Sequence, residues 1–416
     1  MLTRITRAVL SVYALGAVAC GDASSPIASS VNKADVDLPT ASAKSQGFNG
    51  ATLTDLARWI RDTPDLPVFS ILISRRDTLI FELYTGGITR PEAHYMMSVS
   101  KSVLSSLVGA ALKTGAIKSA DVPITQLLPR SLFASSADVD RFSVIRLQDV
   151  MGMSALAVND PPRDTSAASY QHSNSFWSTR NRVAFALKEP LLAAPSRDFL
   201  YNDEGPVLAA GAVQYATGKT LLDFGKAALF DSLGFVNEEW MHQDSTGIDM
   251  GGYGFRMRPM DMQKFGLLYL HGGLWKGKQL LPADWVARSF VPYMKSVPTR
   301  TTSNYGWFWW TETYSGWTFL VADGWKGQRI AINRDHDLVV TMSAYIEVQD
   351  EAAIFTKLLN QYVIPALTTP SALDVQSDLD GLIGQVHNSA SRVKPNPEYR
   401  MVPSAASIER EIPFRP

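Results

Sequence analysis

The chain has 416 residues, 46% hydrophobic and 19% charged, and its 39 Lys and Arg residues nearly balance its 40 Asp and Glu residues. This composition excludes a disordered, collagen-like or coiled-coil chain, and a net charge of −1 gives no electrostatic basis for binding nucleic acid. The single cysteine excludes an intramolecular disulfide, and the six histidines lack the spacing of zinc ligands. The length predicts about two or three lobes.

The N-terminal segment has the features of an export signal. Arg4 and Arg7 provide a positive region, and residues 8–19 form an uncharged stretch too short to span a bilayer. Cys20 lies between two small residues, as in a bacterial lipoprotein signal. We therefore expect lipidation at Cys20 and a location in the bacterial periplasm or on a membrane through this anchor. A plain secretory signal, cleaved after small residues, is the alternative.

Residue patterns beyond the signal predict the following elements in chain order. They are a flexible tether over 21–47, a capped helix over 52–62, a hairpin over 68–84, a buried helix over 98–112 that stops at Gly115, a helix over 257–271, several antiparallel strands over 304–345 and a closing helix over 352–367. Strands near both ends and helices between them predict an α/β (α+β) fold, in which both ends complete one antiparallel sheet flanked by helices. We expect a sheet domain at 48–110 and 252–368, a mainly helical domain at 111–251 and a C-terminal appendage at 369–416.

The most informative segment is the start of the buried helix, where Lys101 follows Ser98 by three residues and shares its helical face. A serine hydroxyl needs an adjacent base to act as a nucleophile. A lysine in an apolar wall has its charged form disfavoured, so we expect Lys101 to accept a proton. The alternative is a helix-capping serine beside a solvated lysine. Ser30 and Lys33 have the same spacing, but they lie in the predicted tether.

The sequence S-V-S-K at 98–101 resembles the S-x-x-K motif of serine β-lactamases and penicillin-binding proteins. Segments 145–154 and 251–286 resemble characteristic helical segments of the class C-related branch, which includes family VIII carboxylesterases, D-aminopeptidases and 6-aminohexanoate-dimer hydrolases. The resemblance covers about residues 50–365. It implies a β-lactamase/transpeptidase-like fold and a serine hydrolase that needs no metal or organic cofactor.

The second motif of the family matches Tyr201, with Asp203 in the place usually taken by Asn. The resemblance implies that Tyr201 is a general base to the serine, because a nearby lysine cation favours its phenolate. A core tyrosine with a satisfied hydroxyl is the alternative. As a carboxylate, Asp203 can only accept hydrogen bonds, so it cannot donate one to a substrate carbonyl as Asn does.

The third motif matches Trp325, Lys326, Gly327 and Gln328, followed by strand residues. The resemblance implies an oxyanion hole formed by the backbone amides of Ser98 and Gln328. Trp325 stands where the family has a cation, and Gly327 would let the strand backbone approach the substrate. The role of Lys326 stays open, because adjacent residues of a strand normally face opposite ways.

Three further sequence features have a structural as well as a functional interpretation. The K-T-G sequence at 113–115 ends the nucleophile's own helix, so Gly115 is predicted to be a helix stop. The G-K-T sequence at 218–220 lacks the first glycine of a P-loop and is predicted to be a helix boundary. The aromatic cluster at 307–310 is either a binding platform or half-buried strand packing.

These features predict a carboxylic ester or amide hydrolase that forms an acyl-enzyme on Ser98. The expected partner is a small-molecule ester or amide, with membrane contact only through the lipid anchor. Asp203 and Trp325 together disfavour acylamino-carboxylate substrates such as penicillins. The alternatives are a β-lactamase or D,D-peptidase, and a non-catalytic penicillin-binding or sensor protein.

Overall fold

The computed structural model describes residues 38–388 except 86, 159–171, 173–174, 194, 242, 295–302, 347–349, 370 and 372. The strands are β1 (Val68–Arg75), β2 (Thr78–Tyr84), β3 (His94–Tyr95), β4 (Glu239–Trp240), β5 (Phe255–Met257), β6 (Leu274–Trp275), β7 (Lys278–Gln279), β8 (Ser303–Gly306), β9 (Trp309–Tyr314), β10 (Trp317–Gly324), β11 (Gln328–Asn333) and β12 (Leu338–Ala344). The main sheet has seven strands in the order β2-β1-β12-β11-β10-β9-β8, and its neighbouring strands are antiparallel.

The helices surround this sheet and the short sheet β3-β5-β4. They are α1 (Gly50–Asp62), α2 (Val99–Thr114), α3 (Ser136–Phe142), α4 (Leu147–Met151), α5 (Arg182–Ala186), α6 (Glu204–Thr217), α7 (Leu221–Gly225), α8 (Asp231–Leu233), α9 (Pro259–Leu270), α10 (Ala283–Ser289), α11 (Glu351–Lys357), α12 (Ile364–Thr368) and α13 (Gln376–Asn388). Turns of π-helix at Lys226–Phe230 and Leu358–Val363 join α7 to α8 and α11 to α12. Helix α9 packs on β1, β11 and β12, and α2 contacts β10, β11 and α6.

Both ends of the folded chain contribute to the main sheet. Strand β1 pairs with β12 from the opposite end of the sequence, for example Ile71 with Met342. The hairpin turn between β1 and β2 uses Arg76 and Asp77 at φ 50° and 63°, left-handed values that suit a tight hairpin turn. The predicted fold class, an antiparallel sheet completed by both ends and flanked by helices, is therefore confirmed.

The folded region extends further in both directions than the sequence suggests. Residues 38–47 were predicted to belong to a tether, but Thr40 bridges to Leu79 and the Ala43 amide donates to the Gln376 side chain at 2.9 Å. In the predicted appendage, α13 buries one apolar face against α1. The apolar residues of α13 have the spacing of an amphipathic helix, a signal that the prediction of an appendage did not use.

The described residues all belong to one compact unit, and the boundaries of the sheet and helical domains stay predictions. Cys20 and the predicted signal lie outside the described residues. Across the part of the chain that the structure covers, no helix is long and apolar enough to cross a membrane.

The K-T-G sequence at 113–115 and the G-K-T sequence at 218–220 are helix ends, as predicted. Helix α2 stops at Gly115, which has φ 77° and donates its amide to the Leu112 carbonyl. Helix α6 stops in the same way at Gly218, with φ 67°, and Thr220 caps the next helix. Both glycines adopt the left-handed conformation that favours glycine after a helix.

Candidate active site

Ser98 stands at the turn between β3 and α2. Met97, just before it, has φ 48°, a left-handed conformation that non-glycine residues rarely adopt and that costs about 1–3 kcal/mol. The Ser98 side chain does not cap the helix. Its Oγ instead lies 2.9 Å from Lys101 Nζ. The geometry therefore differs from the capping alternative and leaves the hydroxyl in contact with the lysine.

Lys101 is only 1% exposed, and its ammonium has specific partners inside the protein. Lys101 Nζ donates to Ser98 Oγ, to Asp203 Oδ1 at 2.6 Å and to the Gly252 carbonyl at 3.0 Å. The same nitrogen lies 4.9 Å from the ring centroid of Tyr201. One buried cation thus connects the first and second sequence motifs.

The surroundings of Lys101 differ from the expected apolar wall. Burial by itself lowers the pKa of the ammonium, but the Asp203 carboxylate and the Tyr201 side chain outweigh burial and raise the pKa of Lys101 above its ordinary value. Asp203, which was predicted to bind substrate, thus favours the charged form of the lysine. The role of Lys101 as a proton acceptor stays a prediction.

Tyr201 is 7% exposed and packs in an aromatic cluster beside the lysine. Its ring stacks on Trp310 at a centroid distance of 5.9 Å and meets Tyr305 edge-on at 6.1 Å. Asn202 accepts a hydrogen bond from the Gly205 amide at 2.8 Å, which fixes the loop that leads into α6. The structure therefore brings Ser98, Lys101, Tyr201 and Asp203 together, although their roles in a reaction stay predictions.

Two residues that support this cluster were missed by the sequence reasoning. Gly252 supplies the carbonyl that Lys101 binds, and a Cβ there would lie 2.7 Å from Asp203 Oδ1. The G-G pair at the start of segment 251–286 was the available signal. Asp149 accepts hydrogen bonds from Ser196 Oγ and Tyr293 Oη, both at 2.6 Å, and so ties the loop before Tyr201 to α4.

The third motif forms the turn between β10 and β11. Gly324 and Gln328 pair across its base, and Gln328 is 2% exposed. A Cβ at Gly324 would lie 2.4 Å from the Met96 carbonyl oxygen and 3.2 Å from the Val99 amide nitrogen. The turn therefore lies directly against the start of α2. This contact places the amides predicted to form the oxyanion hole, those of Ser98 and Gln328, on neighbouring elements.

Trp325, Lys326 and Gly327 lie in this turn rather than in a strand, so the strand argument about Lys326 does not apply. Lys326 has φ 67° and is 6% exposed, with Nζ 4.9 Å from the Trp325 ring and 4.7 Å from the Tyr345 ring. Gly327 has φ 92°, and a Cβ there would be 2.9 Å from Ile346 Cδ1. We infer from these contacts that Gly327 is required by the turn conformation, which differs from its predicted approach to substrate.

The aromatic cluster at 307–310 is packing in the protein interior for the most part. All four of its residues are buried. Trp307 stacks on Trp285, and Trp309 packs between Phe265 and Tyr269. Trp310 is the member that reaches the site, because it stacks on Tyr201. The structure thus favours interior packing over a binding platform, with Trp307 and Phe308 in the turn between β8 and β9.

In the part of the chain that the structure describes, no group of three or more His, Cys, Asp and Glu side chains could hold a metal ion.

Comparison with known proteins places this geometry in a family. The chain is 25% identical over 223 residues to the 6-aminohexanoate-dimer hydrolase of Paenarthrobacter ureafaciens. This aligned region covers 52% of this chain and 55% of the relative. The chain therefore spans about half the length of this curated relative.

Solved structures share the fold at low sequence identity. EstCE1, described as a hydrolase with promiscuous acyltransferase activity, has a TM-score of 0.62 and 12% identity over 78% of this chain and 99% of its own. A penicillin binding protein from Bacillus halodurans has a TM-score of 0.56 and 14% identity over 73% of this chain and 99% of its own. The family model described as Beta-lactamase matches residues 56–354, most of the chain. The chain belongs to the beta-lactamase family.

Proposed function

We propose that the protein is a serine hydrolase that cleaves carboxylic esters or amides through an acyl-enzyme on Ser98. The observation that carries this proposal is the contact of Ser98 Oγ with the buried ammonium of Lys101 at 2.9 Å, with Tyr201 against the same cation. A cation held there favours a phenolate at Tyr201, and a phenolate is a suitable base for a serine hydroxyl.

In the proposed reaction, Tyr201 takes the proton of the Ser98 hydroxyl while Oγ bonds to the substrate carbonyl carbon. The carbonyl oxygen becomes an oxyanion, which the backbone amides of Ser98 and Gln328 stabilise. The bond to the leaving group then breaks, and the alcohol or amine departs with the proton from Tyr201. Water, deprotonated by Tyr201, then attacks the acyl carbon of the ester on Ser98. The bond between this carbon and Ser98 Oγ breaks, Oγ takes the proton back from Tyr201, and the acid is released.

The substrate class follows from two side chains that are already engaged. Asp203 binds Lys101 and cannot donate a hydrogen bond to an acylamino carbonyl. Lys326 packs its ammonium over Trp325 and Tyr345, which draws it away from the role of the third-motif cation. Neutral esters and linear amides need neither of these groups. The curated relative is, by its name, a 6-aminohexanoate-dimer hydrolase, which supports hydrolysis as the reaction type.

We expect the purified protein to hydrolyse p-nitrophenyl acetate readily and to show little or no turnover of penicillin G or nitrocefin. Labelling by a fluorophosphonate probe, measured together with this turnover, tests the function. A protein that is labelled but never turns over would instead be a non-catalytic binder. Efficient cephalosporin hydrolysis would contradict the substrate class and support the β-lactamase alternative.

Replacement of Asp203 by Asn should raise the ratio of nitrocefin to ester turnover. The amide can still accept a hydrogen bond from Lys101 and gains an NH₂ donor for an acylamino carbonyl, an interaction of roughly 1–3 kcal/mol. The two rates are compared in wild type and the variant. The matched control is Asp198→Asn, which changes the same group outside the motif. An unchanged ratio would show that Asp203 does not affect substrate choice.

We also propose that the protein is exported and anchored through a lipid on Cys20. The support is the sequence alone, because residues 1–37 are outside the described residues. Wild type expressed in bacteria should partition into the detergent phase, and Cys20→Ser should release an active protein into the aqueous phase. A mature N-terminus beyond Cys20, in a protein that stays aqueous, would contradict the anchor.

A further inference from the structure

The segment that follows β12 forms hydrogen bonds with the turn at the third motif. The amide of Lys326 donates to Glu351 Oε1 at 2.6 Å, and the carbonyl of Lys326 accepts from the Ile346 amide at 3.0 Å. Both hydrogen bonds involve the backbone of Lys326, which lies two positions before Gln328. The side chain of Glu351 is thus in direct contact with the backbone that leads into the predicted oxyanion hole.

Glu351 is the first residue of α11 and is 9% exposed. Three charged residues of β10, β11 and the turn between them interact with its carboxylate. Asp323 lies at the end of β10, Arg329 lies on β11 and binds Asp323 at 2.8 Å, and Lys326 lies in the turn between them. The Glu351 carboxylate is therefore a buried group that accepts a backbone hydrogen bond, and it differs from an acidic side chain solvated at the surface.

Burial and the negative charge of Asp323 raise the pKa of Glu351 to about 7, against the opposing effects of the Lys326 amide, Arg329 and Lys326. Further along the cluster, Tyr314 on β9 interacts with both Glu312 and Arg329. Glu351 therefore changes its charge near neutral pH. Ionisation turns its hydrogen bond with the Lys326 amide into a charge-assisted bond, which is shorter and stronger.

We propose that Glu351 is a positioning residue for the oxyanion hole, whose bond to the Lys326 amide holds the turn so that the Gln328 amide faces the substrate oxygen beside Ser98. Gly324 packs closely against the segment before α2, since a Cβ there would lie 2.4 Å from the Met96 carbonyl oxygen. A displacement of the turn would therefore displace the Gln328 amide of the predicted oxyanion hole. This inference rests on the proposed function, because it needs an oxyanion to form.

The test compares Glu351→Gln with wild type in ester hydrolysis from pH 5.5 to 9. Gln keeps an acceptor for the Lys326 amide but cannot ionise. We expect the ratio of wild-type to variant kcat/KM to rise from about one at pH 6 to about five at pH 8, with the change in kcat rather than KM. The exposed neighbour Asp350, whose side chain caps no helical amide, provides the control Asp350→Asn.

A thermal-unfolding measurement separates positioning from general stability. A carboxyl whose pKa is raised in the folded protein stabilises the fold fully below its unfolded pKa, and this contribution is lost as pH rises through about 7. The Gln variant does not ionise, so at pH 8 it should melt no lower than wild type while being less active. A merely structural residue would lose activity and melting temperature together.

A constant ratio of wild-type to Glu351→Gln activity across pH would overturn the inference and leave the proposed function intact. A wild type without turnover or labelling would overturn both. If the Gln variant does not fold, hydrogen–deuterium exchange of the wild-type peptide at 324–328 decides the question. After correction for intrinsic exchange, its protection should be about fivefold greater at pH 8 than at pH 6, and equal protection would contradict the proposal.

Discussion

Ser98→Ala should abolish covalent labelling by a fluorophosphonate and lower ester turnover by roughly four to six orders of magnitude. The hydroxyl is the atom that forms the acyl-enzyme, and removing it leaves only oxyanion stabilisation and binding. The fold should persist, because the Ser98 side chain makes no helix cap and its contact is with Lys101. Labelling by mass spectrometry and turnover of p-nitrophenyl acetate measure the two effects.

Ser30→Ala is the matched control for this prediction, because Ser30 begins another S-x-x-K match in the sequence. It should leave labelling and turnover unchanged. Retention of most activity by Ser98→Ala would remove the basis of the proposed function, since no other nucleophile is assigned to the site.

Lys101→Ala and Tyr201→Phe should each lower turnover nearly as much as Ser98→Ala, and the double variant should be little worse than either single one. The Lys101 ammonium lies 4.9 Å from the Tyr201 ring and is the cation that would support its phenolate. Groups that act as one unit give losses that do not multiply. A double-mutant cycle on kcat/KM, with melting temperatures for each variant, measures this coupling.

Two residues outside the cluster provide controls. Lys113→Ala changes an exposed lysine of α2, the helix that carries Lys101. Tyr215→Phe changes a 40% exposed tyrosine of α6. Both should keep near-wild-type activity. Independent, multiplicative losses in Lys101→Ala and Tyr201→Phe would mean that one of these two residues has only a structural role.

The ion pair between Lys101 and Asp203 bears on the proposed proton transfer. The Asp203 carboxylate and the Tyr201 side chain raise the pKa of Lys101, which favours its ammonium form. This supports the proposal that Tyr201 is the base and that Lys101 acts through its charge. Breaking a buried pair by removing one partner leaves an uncompensated charge, which is strongly destabilising. Lys101→Ala therefore tests activity only when the melting temperature shows a folded protein.

Local chemistry was sufficient for several predictions from the sequence. Helix α2 was predictable because its apolar residues continue for four turns and Gly115 supplies the left-handed stop. The hairpin of β1 and β2 follows from alternation around Arg76 and Asp77. The family, and the grouping of Ser98, Lys101 and Tyr201, followed from short motifs whose residues the fold brings together.

Long-range contacts decided the rest. The charge of Lys101 depends on Asp203, 102 residues away, and the sequence does not show that these two side chains meet rather than face a substrate. Lys326 lies in a turn with a left-handed φ, and its backbone is hydrogen-bonded to Ile346 and Glu351, partners that the sequence does not show. A pKa or a turn conformation of this kind is set by the neighbours that packing supplies. Only the tertiary structure therefore determines it.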